Sequence, residues 1–205
     1  MFITFEGIDG SGKSTISKLI FDKLQKEGHK VILTREPGGD VIAEKLRKFI
    51  LDTDNKDIKP WTEVLLYIAA RKQHVDTKIK KALCEGNIVI CDRFMDSTTA
   101  YQGFGRGLDI YKIDELQKYI LEDNIPDLTI FFDINADQVL TRIKKRNETK
   151  DRLEEEGISF QKNVYQGYKK LIEKYPDRIK RVDATRSIDQ VVNDTFEIIN
   201  KKIKG

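Results

Sequence analysis

Gly7-Ile8-Asp9-Gly10-Ser11-Gly12-Lys13-Ser14 sets four residues between two glycines and ends in Lys-Ser, the pattern of a loop that wraps a phosphate. The glycines let the backbone curl until its N–H groups face an anion, and a helix behind them adds its positive end. Lys13 is expected to reach the β- and γ-phosphates of a nucleoside triphosphate, with the Ser14 hydroxyl on Mg²⁺. A buried strand before the loop and an amphipathic stretch after it supply the context this pattern requires.

A triphosphate does not fix the reaction. The guanine-reading pattern Asn-Lys-x-Asp of switch GTPases is absent, and no Asp-x-x-Gly follows a later strand. Three other loops carry groups for a second substrate. Thr34-Arg35-Glu36-Pro37-Gly38-Gly39 is an irregular turn beside charges. Asp92-Arg93 follows an apolar run, which places Asp92 to hold Mg²⁺ or its water and Arg93 to grip a phosphate with both arms. Ser97-Thr98-Thr99-Ala100-Tyr101-Gln102-Gly103 offers hydroxyls, an amide and a ring. Its residue types suit a nucleobase and sugar, and equally a plain polar helix start.

The elements that position these groups follow from periodicity. Strands are predicted at Phe2–Glu6, Lys30–Thr34, Asn87–Cys91, Leu128–Asp133 and Arg178–Val182. Helices are predicted at Ser14–Lys26, Val41–Leu51, Pro60 to about Leu83, Thr98–Gln102, Ile113–Leu121, Asp137–Arg146, Ser159–Lys174 and Ile188–Lys202. This alternation implies an α/β fold in three layers, a five-stranded parallel sheet flanked by helices, with sites at the carboxyl ends of the strands. No repeat or linker divides it, so residues 1–205 are expected to form one domain. The polar stretch Asn147–Gly157 is expected to be a short lid, with Arg152 in its middle.

The 205 residues carry 37 basic and 34 acidic side chains, net +3, too even a balance for a dedicated nucleic-acid binder. The run Arg142, Lys144, Lys145, Arg146 is a local feature. No apolar stretch approaches the ~20 residues of a membrane span, and the start shows no basic leader. A soluble, cytoplasmic protein is expected, without membrane or nucleic-acid partners. Cys84 and Cys91 match no common metal spacing and are expected to be reduced core residues.

At this point the chain resembles the thymidylate kinase family. The resemblance rests on Phe5–Thr15, Thr34–Gly39, Leu65-Leu66-Tyr67-Ile68-Ala69-Ala70-Arg71 with His74, and Cys91-Asp92-Arg93-Phe94. It continues through Ala100–Gly103, Pro126–Thr129 and Asp151-Arg152-Leu153-Glu154. Those enzymes transfer a phosphoryl group from MgATP to dTMP. The resemblance implies that Gly7, Ile8, Asp9, Gly10, Ser11, Gly12, Lys13, Ser14 and Thr15 hold ATP. It implies that Asp9 contacts the acceptor sugar and helps organise Mg²⁺, that Arg93 clamps the dTMP phosphate, and that Arg35 and Arg47 add positive charge there. By the same resemblance Glu36 and Pro37 line the acceptor site, and Tyr67 stacks on thymine where Phe is more usual. Arg71, Thr98 and Gln102 then read the base, and Tyr101 crowds out a ribose 2′-OH. Some members carry an arginine inside the phosphate loop. Gly10 and Ser11 stand there in this chain, so the resemblance implies a lid arginine instead, Arg152 first, then Arg142 and Arg146. It further implies an adenine contact at Arg186 and a homodimer. Two rivals stay open: a monophosphate kinase for UMP, CMP, dUMP or a broader set, and a non-catalytic nucleotide-binding module.

Overall fold

The computed structural model describes residues 1–143 and 151–204, with the side chains of 140–143 left aside. Five strands, β1 (Phe2–Glu6), β2 (Val31–Arg35), β3 (Ile88–Asp92), β4 (Leu128–Asp133) and β5 (Ile179–Asp183), form one sheet in the order β2-β3-β1-β4-β5. All four pairings are parallel. Strands buried on both faces need apolar residues throughout, and β1 and β4 are buried at every position. Each observed strand lies within one residue of its predicted bounds.

Helices cover both faces. Ile3, Phe5, Ile90 and Ile130 pack with Ile16, Ile20 and Leu24 of α1 (Lys13–Lys26) and with Val191 and Ile199 of α9 (Ile188–Lys204). On the opposite face Phe2, Val89 and Cys91 meet Val75, Ile79, Ala82 and Leu121. Phe2 and Phe94 rings meet edge to face at 4.9 Å. Each buried Val, Leu, Ile or Phe side chain among these contributes about 1.5–3 kcal/mol of transfer free energy.

Local chemistry sets the remaining elements. The Asp40 side chain accepts the Ile42 N–H (2.9 Å) and caps α2 (Val41–Leu51). Pro60 takes the first position of α3 (Pro60–His74). The predicted helix to Leu83 is interrupted: the chain widens into a π-helical turn at Val75–Ile79 before α4 (Lys80–Cys84). A second π-helical stretch, Thr99–Gly105, follows the short α5 (Met95–Thr98), and α6 (Ile110–Leu121) comes next. The chain then runs through α7 (Ala136–Ile143), a 3₁₀ turn at Glu154–Glu156 and α8 (Gly157–Lys174). Of the expected lid, residues 147–150 lie outside the described residues. Cys91 is buried as expected, but Cys84, at the end of α4, is exposed. No described helix is long and apolar enough to cross a membrane.

Candidate active site

Sheet register gathers the loops. Phe5 of β1 and Arg35 of β2 both pair with Asp92 of β3, so these three strands end level. The phosphate loop, the Glu36–Gly39 turn and the Arg93–Ser97 segment therefore leave the sheet side by side. With α2, α3, Asp151, Leu153 and Glu154 they line a cleft of about 630 Å³, a size that suits small-molecule substrates.

The loop has the backbone its glycines allow: Gly10 and Gly12 have φ of 79° and 94°, and Gly12 caps α1. Lys13 is 5% exposed, and its Nζ donates to the Ile8 carbonyl (3.1 Å) and Ser11 Oγ (3.4 Å). Burial, and then repulsion from Arg93, lowers its pKa to about 8 against the opposing pull of the Asp92, Asp9 and Glu6 carboxylates. The Ser14 hydroxyl donates to Asp92 Oδ2 at 2.5 Å. This hydroxyl–carboxylate pair at the loop mouth is a hard-oxygen donor set that fits Mg²⁺.

Arg93 joins the loop to the second half of the cleft. Its Nη1 donates to the Gly7 carbonyl (2.9 Å) and Ser97 Oγ (3.1 Å), and its Nη2 to Asp9 Oδ1 (2.5 Å) and the Tyr101 hydroxyl (2.8 Å). The Tyr101 hydroxyl donates in turn to Asp9 Oδ2 (2.7 Å). Burial alone would raise the Asp9 carboxyl, but Arg93, Lys13 and Tyr101 hold it down at about 2. Arg93 is also a non-glycine residue in the left-handed region, with φ of 69°, a conformation costing roughly 1–2 kcal/mol. Its N–H on the Phe5 carbonyl (2.9 Å) and the Phe94 N–H on Glu6 Oε1 (2.7 Å) hold it there.

Glu6 and Tyr168 escaped sequence reasoning. The Glu6 carboxylate is fully buried and accepts the Ser97 hydroxyl (2.6 Å) and the Tyr168 hydroxyl (2.8 Å) as well as Phe94 N–H. Desolvation, with Asp96 adding repulsion, raises its pKa to about 7. A charged residue closing an otherwise apolar strand was the available sign, and the strand pattern absorbed it. Tyr168 lies on α8, 162 residues along the chain from the Glu6 carboxylate it reaches, and carries no local sign of that contact.

Of the residues expected at the acceptor, Pro37, Arg47, Tyr67, Thr98, Tyr101 and Gln102 all line the cleft. Arg35 lines it while paired with Glu44 (2.8 Å), and Arg47 Nη1 donates to the Pro37 carbonyl (2.9 Å). Glu36 reaches the lining, but its carboxylate is committed to Arg71 Nε (2.7 Å) and His74 Nδ1 (3.0 Å). Arg71 itself is 2% exposed and stands behind the cleft wall, with Nη1 donating to Thr98 Oγ1 (3.0 Å) and Gln117 Oε1 (2.8 Å). In this arrangement it meets the cleft through Thr98 rather than directly. Among the described residues, Glu36, His74 and Cys91 have ligand atoms within 4.8 Å of one another. Burial pushes the Cys91 thiol pKa well up, and its Sγ faces the Arg93 carbonyl (3.1 Å). The Glu36–His74 hydrogen bond supports the turn from behind, and Cys91 donates away from it.

The lid expectation meets a different geometry. Asp151, Leu153 and Glu154 line the cleft but Arg152 does not. Its Nε donates to the Ile50 carbonyl (2.8 Å), and its Nη2 lies 2.6 Å from Glu63 Oε2, an ion pair without hydrogen-bond alignment. The guanidinium is thus turned toward α3 and not toward Lys13. Arg146 and the side chain of Arg142 lie outside the described residues. Arg186 follows β5 and pairs with Asp194 (2.5 Å), apart from the cleft lining.

A parallel sheet with a phosphate loop after its central strand, facing an arginine-clamped second compartment, defines the phosphate-loop kinase class. The family model described as Thymidylate kinase matches residues 5–195. The thymidylate kinase of Mycoplasma capricolum is 49% identical over 205 residues, covering all of this chain and 96% of that protein. That of Oceanobacillus iheyensis is 46% identical over 210 residues, covering all of this chain and 93% of the relative. The crystal structure of thymidylate kinase from Ehrlichia chaffeensis is similar with a TM-score of 0.79 at 34% identity, over 98% of both chains. The chain belongs to the thymidylate kinase family, and is a kinase.

Proposed function

We propose that this enzyme transfers the γ-phosphoryl group of MgATP to dTMP, giving ADP and dTDP for dTTP synthesis. The observation that carries this reading is the meeting, in one cleft, of Lys13, Ser14 and Thr15 with Tyr67, Thr98, Tyr101 and Gln102. The first group suits a triphosphate and the second a nucleoside. A phosphate monoester oxygen is ionised near neutral pH, so the acceptor needs no strong base. It needs alignment with the donor and neutralisation of charge that spreads as the phosphoryl group moves.

Lys13 supplies positive charge at the donor, and Arg93 holds the acceptor phosphate against it. Asp9 keeps Arg93 oriented and faces the acceptor sugar, while the Tyr101 ring leaves little room for a 2′-OH. Ser14 and Asp92 would hold Mg²⁺, which supplies charge neutralisation between the phosphates when bound. Arg35 and Arg47 strengthen the field at the acceptor phosphate, and Tyr67 offers its ring to the base. Gly10 and Ser11 leave the loop without an arginine, so a further cation comes from the 142–152 segment. Arg152 is its described candidate and must leave Glu63 to act. Arg142 and Arg146 stand behind it, and Arg186 is the adenine contact.

The working unit is a homodimer of single-domain chains in the cytoplasm. Support for the dimer comes from Val41, Phe49 and Leu65, large apolar residues left exposed on α2 and α3. Following ADP release with MgATP and a panel of monophosphates tests the assignment. Turnover of dTMP well above UMP and AMP is expected, and equal or better turnover of either rival would overturn it.

A further inference from the structure

Glu63, on α3, is 1% exposed. Its carboxylate accepts Gln102 Nε2 (2.9 Å) and both Nε (3.2 Å) and Nη2 (3.1 Å) of Arg106, with Arg152 Nη2 at 2.6 Å. Burial opposes its charge, but the hydrogen bonds from Arg106 and Gln102 and the two guanidiniums outweigh it and keep the carboxyl ionised. An ionised carboxylate only accepts. The amide of Gln102 is therefore fixed with its nitrogen toward Glu63 and its carbonyl oxygen on the other edge. Gln102 lines the cleft beside Thr98 and Tyr67.

We propose that Glu63 is a positioning residue for base selection: by holding the Gln102 nitrogen it presents the Gln102 carbonyl to the base, favouring a pyrimidine that carries N3–H. Thymine and uracil have that proton. Cytosine offers a lone pair at N3, which would set acceptor against acceptor at a side chain that is itself only 1% exposed. Sites that hydrogen-bond a substrate discriminate strongly because a mismatch leaves buried groups unpaired. This inference rests on the cleft being a pyrimidine monophosphate site. If Glu63 only neutralised Arg106 and Arg152, its loss would weaken all acceptors alike.

The test compares kcat/KM for dUMP and dCMP, which both lack the 5-methyl group, in the wild type, Glu63→Gln and Arg106→Met. The wild type is expected to prefer dUMP at least about tenfold. In Glu63→Gln the partner amide can donate or accept, so Gln102 can turn over and the preference is expected to fall at least about fivefold. Arg106→Met should move both acceptors together. A smaller wild-type preference, or a folded Glu63→Gln variant with its preference retained, overturns the inference. Should Glu63→Gln not fold, the wild-type Gln102 side-chain amide resonances, assigned by their loss in Gln102→Leu, decide the matter. Retention of the hydrogen-bonded proton shift when dTMP binds supports the inference, and its loss overturns it. Wild-type protein that phosphorylates neither dTMP nor dUMP removes the underlying reading, and the inference with it. Normal dTMP turnover with an unmoved preference removes the inference alone.

Discussion

Arg93 Nη2 and Asp9 Oδ1 meet at 2.5 Å across 84 residues of chain, joining the end of β3 to the phosphate loop. The residue proposed to grip the acceptor is thus fastened to the loop proposed to hold the donor, through Asp9 and through the Gly7 carbonyl. Two anions that repel one another are met by cations whose positions are set jointly, before either substrate arrives.

Replacing Arg93 by Lys keeps a charge but loses the fork that reaches Gly7, Ser97, Asp9 and Tyr101 together. The expected result is a fall of at least about a hundredfold in kcat/KM for dTMP, roughly 2.7 kcal/mol of barrier. ATP affinity, measured by calorimetry, should change by much less. A loss of under threefold would remove Arg93 from the acceptor clamp.

Lys13 carries a pKa lowered to about 8, first by burial and then by Arg93. Bound phosphates favour the ammonium and raise that value. ATP binding should therefore take up a proton in the window above about pH 8, and affinity should fall as pH rises through it. Calorimetry in buffers of different ionisation enthalpy reads this uptake. Binding without proton uptake between pH 8 and 9 would contradict it.

Asp92 accepts the Ser14 hydroxyl and offers the charge at the proposed Mg²⁺ site. Asp92→Asn is expected to raise the Mg²⁺ concentration for half-maximal rate about tenfold or more, with the melting temperature little changed. An unaltered Mg²⁺ requirement would move the metal elsewhere.

Arg152 separates two roles. As a cation for the transferring group, its replacement by Ala should lower kcat at least about tenfold while ATP affinity stays nearly constant. As a partner of Glu63 alone, it would leave kcat within about threefold and lower only the melting temperature. The first outcome is expected, because the loop carries Gly10 and Ser11 where a cation is otherwise missing.

Much of this was legible in the sequence, for identifiable reasons. The bounds of β1, β3 and β4 were readable because buried parallel strands are runs of mostly apolar residues, and the phosphate loop because its glycines and Lys13 are local in sequence. Tyr67, Thr98, Tyr101 and Gln102 came with the family resemblance and do line the cleft. The π-helical stretches at Val75–Ile79 and Thr99–Gly105 were not legible, since one added residue per turn leaves no periodic mark in so short a segment. Nor were the partners of Glu6, Glu63 and Arg152, which depend on contacts between residues distant in sequence. Arg71 shows the same limit: its helical spacing from Tyr67 was plain, but its burial behind Thr98 was not.

The transfer itself is the most direct test of the phosphoryl-acceptor assignment. ATP labelled in its γ-phosphoryl group, with Mg²⁺ and an equimolar mixture of dTMP, dCMP, UMP and AMP, gives products that chromatography resolves. The expected result is label in dTDP, matching ADP one for one, with little in inorganic phosphate. Label released mainly as inorganic phosphate, or found in UDP or ADP as fully as in dTDP, would contradict it.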